Sequence, residues 1–544
     1  MKVVNVRPVR GALIARAAGG GVALVRAHRY LEFVLAGAVL VGLAVLVFGT
    51  HVRHGGFYSD DWSTASDVTF RGYRGTVDHV LHDVVPGRPI LAAVHPVTHY
   101  LFGLQAERHL AVGVSLAVLA SLCFFVLLRS LRVERPHALG MAALSLVFPW
   151  AVALHLWTIA TVNNLALITY FLGTTAALTA VGLERDRRGR ALALHLAASL
   201  LYVVSVLTYQ VAPAVILGSI ALYRTRVSWS RASRRWLLDC AVVLPVTAAS
   251  AAASSAVREV GSVSAMVTDL PRFVRDDLTL FAAMFLPSGV EAALPNLLVL
   301  FAATGVVALS LVRARRGEPA VRTWLVRGGA GAGAVALSHV MFLGSGLLPS
   351  YSGIDDRANT LAAFGFVVVA YSVLVLVCLL VAPTPRWIPV FIAAALVLVG
   401  VGWIGRVRDD IALLRTAVAR QADEMALLED VVGRPPPGST LLVFGFPATT
   451  SPGIPIFYNA WDLEGALRLR WKDYSLAARP IFRKGVTCDA GSIRPVEFQP
   501  EFSVPYERAI FVDLATRIVR PVRSREACVA ARPRFAPGPL VAGE

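Results

Sequence analysis

The chain has 544 residues, 56% of them hydrophobic and 16% charged, with a mean hydropathy of +0.64. Soluble chains are about half apolar and about a quarter charged, so this composition excludes a string of water-soluble domains and a disordered chain, and it points to long lipid-facing stretches. A net charge of +17, from 52 Lys+Arg against 35 Asp+Glu, would suit a nucleic-acid binder, but bases concentrated on the cytoplasmic side of a multi-span chain account for it with no nucleic acid as partner.

In chain order, residues 1–29 carry Lys2, Arg7, Arg10, Arg16, Arg26 and Arg29 and read as a cytoplasmic N-terminal segment. The first apolar run, Tyr30 to Thr50, is long for a signal peptide and no A-x-A site follows, so a retained anchor is expected. A long first outer loop, residues 51–107, comes next. Ten further spans are expected at roughly 109–128, 137–154, 159–183, 191–207, 210–223, 236–255, 295–312, 322–343, 358–382 and 387–405. The run Leu278 to Leu286 is too short to cross and ends at Pro287, and it reads as a re-entrant or interfacial piece. About eleven crossings with the N-terminus inside send everything after Arg406 outside. Assigned by side, the cytoplasmic segments carry a net charge of roughly +18, the outer membrane loops roughly −4 and the tail roughly +3, as the positive-inside rule requires. Arg supplies nearly all of the base, Lys occurring only at Lys2, Lys472 and Lys484, and with the Ala, Val and Leu excess this suggests a GC-rich bacterial genome. The expected location is therefore the bacterial plasma membrane, with the lipid bilayer as the first partner.

The membrane domain, 30–405, gives way to a tail, 406–544, where long apolar runs stop. Asp409 to Val432 is amphipathic, with Ile411, Leu414, Val418, Met425, Leu428 and Val432 on a helical spacing, and Pro435-Pro436-Pro437-Gly438 closes it. Leu441 to Phe444 and Ile510 to Val512 read as strands and Asp462 to Leu469 as a short helix, which makes a small extracytoplasmic α/β domain. Cys123, Cys240 and Cys378 fall in spans, whereas Cys488 and Cys528 are the only cysteines of the tail. An isolated pair outside the cytoplasm reads as a disulfide, the alternative being two unrelated buried thiols. The tail's aromatics, Phe444, Phe446, Phe457, Tyr458, Trp461, Trp471 and Tyr474, permit carbohydrate stacking, although more of them are expected to fill its core.

The first outer loop opens Phe57-Tyr58-Ser59-Asp60-Asp61-Trp62. Two adjacent carboxylates at a membrane surface can be partly desolvated, which raises the pKa towards that of a general base; the alternative is a solvated turn with a capping Asp. Tyr58 and Trp62 beside them are of the interfacial aromatic type. His79, His82 and Asp83 share a helical face and read as surface residues sooner than as metal ligands. Asn163, Asn164, Tyr209, Gln210 and Trp157 sit at outer span ends, where they could line a substrate cavity or bond helix to helix. Pro271 to Asp277, ahead of the short apolar run, reads as an interfacial helix. There is no P-loop, CxxC or HExxH pattern, so direct ATP use and a zinc site are not indicated.

One span followed by a long outer loop that begins with a paired acid, here Asp60-Asp61, resembles the GT-C superfamily of multi-spanning glycosyltransferases. The start Ser59-Asp60-Asp61-Trp62 with the later Gly87-Arg88-Pro89 looks like its bacterial branch, the O-antigen glucosyltransferase-like and aminoarabinose-transferase-like proteins. The resemblance covers the topology of the membrane part and only short motifs of sequence. It implies an inverting transfer of a sugar from a polyprenyl-phosphate donor to a cell-envelope glycan, lipid or protein acceptor, for cell-wall biogenesis. One of Asp60 and Asp61 would act on the acceptor nucleophile while the lipid phosphate leaves from the other face. Some members of the superfamily bind Mg2+ or Mn2+ with this acid and many relatives need no metal, so the resemblance implies no certain cofactor. It also implies fixed positive charge for the leaving phosphate, which the planar fork of Arg supplies. Arg357, in Ser352-Gly353-Ile354-Asp355-Asp356-Arg357-Ala358-Asn359, and Arg88, in Pro86-Gly87-Arg88-Pro89, are the candidates. Snorkelling to the interface, or pairing with Asp355 or Asp356, is the alternative for Arg357. Three other classes stay open: a lipid-linked glycan flippase or transporter, which would need ionisable groups at mid-membrane, a polysaccharide polymerase or ligase, which leans on loop Arg and His, and a non-catalytic envelope scaffold.

Overall fold

A computed structural model describes residues 9–158, 161–183, 187–210, 213–255, 263–286, 293–343, 347, 349–351, 353–496 and 502–541, with backbone alone before residue 30. Lys2, Arg7, Glu184, Arg185, Asp186, Arg258, Pro287 and Ser352 lie outside the described residues. The helices run α1 Val9–His54, α2 Asp60–His79, α3 Pro89–Val94, α4 Val97–Phe102, α5 Ala106–Ser130, α6 Arg135–Leu146, α7 Ala153–Leu156, α8 Thr161–Leu183 and α9 Arg188–Thr208. They continue α10 Pro213–Arg224, α11 Trp229–Ser255, α12 Val263–Ala283, α13 Ala293–Arg315, α14 Pro319–Val340, α15 Ala362–Val381, α16 Ile388–Val432, α17 Ala460–Trp471 and α18 Arg525–Ala531. The strands are β1 Thr440–Phe444, β2 Thr449–Ser451, β3 Ile454–Pro455, β4 Ala477–Pro480, β5 Val486–Cys488, β6 Ser492–Pro495, β7 Val504–Pro505, β8 Ala509–Asp513 and β9 Ile518–Pro521.

The molecule is a polytopic α-helical membrane protein with a C-terminal α/β domain. Among the described residues eight helices are long and apolar enough to cross a bilayer: the Tyr30–His54 part of α1, then α5, α8, α9, α11, α13, α15 and the helix that begins at Pro385 and becomes α16. The remaining three of the eleven expected spans fall on α6, α10 and α14. Helices α6 and α10 have 12 residues each, about 18 Å of rise, and need the turns beside them to reach across some 30 Å of hydrocarbon. Helix α14 is long enough but carries Arg322 and Arg327. The stretch Pro271 to Asp277 lies in α12, whose Phe273 and Leu280 are buried while Val267, Leu270, Val274 and Leu278 are exposed.

Buried small and aromatic side chains hold the bundle together, and one polar chain runs through it. Arg235 and Asp239 of α11 pair at 2.5 Å with both side chains almost wholly buried. Tyr223 of α10 donates to Asp239, Tyr202 of α9 meets Tyr223 at 3.3 Å, and Tyr202 donates to Thr174 of α8 at 3.2 Å. Four helices are thereby stapled through a paired charge, and pairing is the condition under which charge is tolerated away from water.

Helix α16 runs unbroken for 45 residues, about 67 Å of rise. The domain boundary expected at residues 405 and 406 lies inside it. Beyond that point its buried residues Arg406, Val407, Ile411, Leu414, Ala417, Gln421 and Leu428 recur at three- and four-residue steps, and Gly433 in the left-handed region ends it. The tail then builds a four-stranded sheet of order β4-β1-β8-β9, with β1 parallel to β4 and β8 and with β9 antiparallel. Strands β1 and β8 are buried on both faces, hence their continuous apolar sequences. Alternate residues feed two cores: Leu441, Val443, Ile510 and Val512 pack under α17 and the end of α16, whereas Leu442, Phe444, Ala509 and Phe511 pack under β5–β7 and α18. Cys488 of β5 and Cys528 of α18 form a disulfide across the second core.

Candidate functional site

The first outer loop folds back into the protein. Ser59 caps α2 with a positive φ of 46°, uncommon for a non-glycine residue. Asp60 and Asp61 follow as its first two residues, where the helix dipole favours carboxylates, and the structure gives them different surroundings. Asp61 is fully buried, one oxygen accepting from the Tyr58 amide at 3.0 Å and the other from the Thr158 hydroxyl. Asp60 is half-buried and turned to the tail, its Oδ1 accepting from the indole Nε1 of Trp461 at 2.6 Å and from Ser59 Oγ at 3.4 Å.

The tail grips this acid loop at several points. Asn459 donates to Ser59 Oγ at 3.3 Å, Tyr474 donates to Asp67 at 2.9 Å, and Trp62 donates to Gln421 of α16 at 3.3 Å. Gly465 of α17 lies so near α2 that a Cβ there would meet the Trp62 carbonyl carbon and oxygen at 2.5 Å. Asp462 is buried in the same contact, one oxygen accepting from the Asn459 amide at 3.1 Å and Oδ1 with no hydrogen-bond partner among the described residues. Burial, then the nearby Asp60, push its carboxyl well above the ordinary range, against the Asn459 amide, which lowers it. His95 is close enough to feel the charge of Asp60, with Nε2 2.7 Å from the Thr64 hydroxyl. Burial pulls this imidazole down to about 4 in spite of Asp60 and Asp67, so it is neutral at pH 7.

The Arg357 turn joins the same neighbourhood. Its guanidinium carbon lies 5.6 Å from the centroid of the Trp157 ring, and Trp157 Nε1 donates to the Tyr58 carbonyl at 3.1 Å. The Nε of Arg357 is buried with no hydrogen-bond partner among the described residues. Asp356 does not pair with it. That carboxylate caps α7, accepting from the Val152 amide at 2.7 Å and the Ala153 amide at 3.2 Å, and burial pushes it well above the ordinary range against the Ala153 hydrogen bond. Asp355 is exposed. The turn is also seated on the tail: Gly353, with φ of 76°, touches Gly453, where a Cβ would come within 1.9 Å of the Gly453 carbonyl oxygen, and Ile354 donates to that oxygen at 2.9 Å. Tyr58, Trp157, Ile354, Asp410 and Ile454 line a pocket here with room for at most about one water.

Other expected residues lie elsewhere. Arg88 sits over the Tyr209 ring at 4.9 Å, while Gln210 and the Gly87 carbonyl both bond Ser250 of α11. Asn164 donates to the Leu154 carbonyl at 2.6 Å, and Asn163 is buried. His79 pairs with Asp83 at 2.7 Å and His82 with Asp78 at 3.1 Å. The site residues that sequence reasoning left unassigned are Thr158, Asn459, Asp462, Gln421 and His95. They enter through contacts between distant segments, and no local signal marks them.

No protein-family model and no curated protein matches this sequence. Among solved structures the chain is similar to the crystal structure of ArnT from Cupriavidus metallidurans in the apo state, at 13% sequence identity and a TM-score of 0.44, over 91% of this chain and 94% of that one.

Proposed function

We propose that the protein is an integral membrane glycosyltransferase of the GT-C type. It moves one sugar from a polyprenyl-phosphate donor to a cell-envelope acceptor at the outer face of the bacterial plasma membrane, with its N-terminus cytoplasmic and its tail extracytoplasmic. One observation carries the reading: the acid pair of the first loop is divided, Asp61 locked between two donors and Asp60 turned towards the tail, beside an arginine held by an aromatic ring and not by an acid.

In this reading Asp60 takes the proton of the acceptor hydroxyl. The oxygen attacks the anomeric carbon, the bond from that carbon to the phosphate oxygen breaks, and the lipid phosphate leaves with the electron pair. Arg357 receives the phosphate with donors no acid occupies, and Arg88, which sits over the Tyr209 ring, is given no step here. Asp61 is a positioning residue that fixes the start of α2. The carboxylates are a poor divalent-cation site: both oxygens of Asp61 are engaged by donors, and no group of three His, Cys, Asp or Glu among the described residues is arranged to hold a metal. No step is therefore routed through Mg2+ or Mn2+.

The test is sugar release and transfer from a labelled polyprenyl-phosphate hexose or pentose by the purified protein. Asp60→Asn is expected to lower turnover by at least about a hundredfold, the usual loss of a general base, with unchanged thermal unfolding. Full activity in Asp60→Asn would remove the base. Arg357→Ala is expected to raise the apparent KM for the donor more than that for the acceptor.

A further inference from the structure

The aromatic residues of the tail are sorted by burial. Phe444, Phe446, Phe457, Phe482, Phe511 and Phe535 are buried in its two cores. Two aromatics stay largely outside, Tyr458 at 46% and Trp461 at 41% exposed. They stand three residues apart at the start of α17, which is the part of the tail that touches Asp60. Leaving such rings in water forfeits about 25 cal/mol per Å² of apolar surface, so their placement calls for a partner that covers them.

The geometry limits what that partner is. Tyr458 lies parallel to Phe482, at 6.4 Å between centroids and 9° between planes, so one face is backed by protein and the other is open. Trp461 is pinned by its indole nitrogen to Asp60, so its ring borders the acid. Of the neighbouring acids Asp61 and Asp462 are buried and only Asp60 reaches the surface, where its charge disfavours an acidic acceptor seated between the two rings. A flat apolar face with hydroxyls around its rim fits both rings and the acid together, and that is the shape of a neutral pyranose or furanose.

We propose that Tyr458 and Trp461 form the acceptor subsite and that the acceptor is a neutral saccharide, stacked on these rings with a hydroxyl presented to Asp60. The proposal rests on the glycosyltransferase reading and narrows its acceptor to a glycan, supplied by the C-terminal domain.

The experiment uses the full chain in nanodiscs, labelled with 5-fluorotryptophan. The fluorine resonance missing from Trp461→Phe is that of Trp461, and the other indole resonances staying in place controls for folding. Neutral oligosaccharides from mannan, galactan and arabinan are the probes. At least one is expected to shift the Trp461 resonance saturably in the millimolar range. Tyr458→Ala is expected to weaken that binding about fivefold. Asp60→Asn is expected to lose transfer. No shift with any of the three saccharides overturns the proposal. Broadening of the Trp461 resonance by nitroxide lipids also overturns it, since the pair would then be a membrane anchor. Saccharide binding together with full transfer by Asp60→Asn leaves the subsite standing and sinks the base instead, so the two failures are separable.

Discussion

Neighbouring carboxylates do different work here because of what surrounds them. Asp61 is buried with a donor on each oxygen, Asp60 is half-buried and accepts from an indole and a hydroxyl, and Asp462 has a backbone amide on one oxygen and nothing described on the other. The last case has a consequence for stability. The folded-state pKa of Asp462 is raised above its unfolded value, so the folded tail binds the proton more tightly and gains stability at low pH. That gain is complete below the unfolded value, near 3.9, and is lost as pH rises through the folded one. Asp462→Asn keeps an acceptor for the Asn459 amide without the charge. Its tail is expected to match the parent's melting temperature at acid pH and to melt a few degrees higher at pH 8, by calorimetry in detergent. Parallel pH dependence in the two proteins would refute this burial argument.

At the scale of elements, the staple through α8, α9, α10 and α11 and the continuity of α16 are the two features that fix geometry. Asp239→Ala leaves Arg235 buried without its carboxylate and is expected to cost about 3–5 kcal/mol of bundle stability. Replacing Arg235 and Asp239 together by leucine is expected to restore most of that loss, as measured by unfolding in mixed detergent. If the single and double variants are equally damaged, the pair is not what matters. Element positions were largely legible in the chain: apolar runs mark α1, α5, α8 and α15, and short apolar clusters mark β1, β8 and α17. The unity of α16 was not. Hydropathy falls at Arg406 because the surroundings change from lipid to water and protein, and polarity reports the surroundings of a helix and not its continuity. The site was half legible. Adjacent residues such as Asp60 and Asp61 declare themselves, but the Thr158 hydroxyl reaches Asp61 across 97 residues and the Trp461 indole reaches Asp60 across 401. Contacts of that separation leave no period in a sequence.

At the scale of the molecule, the tail is seated on the membrane part at two places, the acid loop through α17 and the Arg357 turn through Gly453. Both depend on α16, which carries the tail. A rigid helix transmits angle as well as height, like a screw of fixed pitch. Each residue added to it advances what lies beyond by about 1.5 Å and turns it by about 100°. One alanine inserted after Asp423 is expected to swing α17 off α2 while every span inserts normally. In the parent, Ser59→Cys with Asn459→Cys, whose side chains meet at 3.3 Å, is expected to crosslink under mild oxidation, and the insertion is expected to abolish that link and transfer together. A crosslink of equal yield in both would show the tail to be hinged. If the screw is rigid, the length of this segment is quantised: substitutions on its exposed side are free, but no single residue can be gained or lost without putting the two halves of the site out of phase.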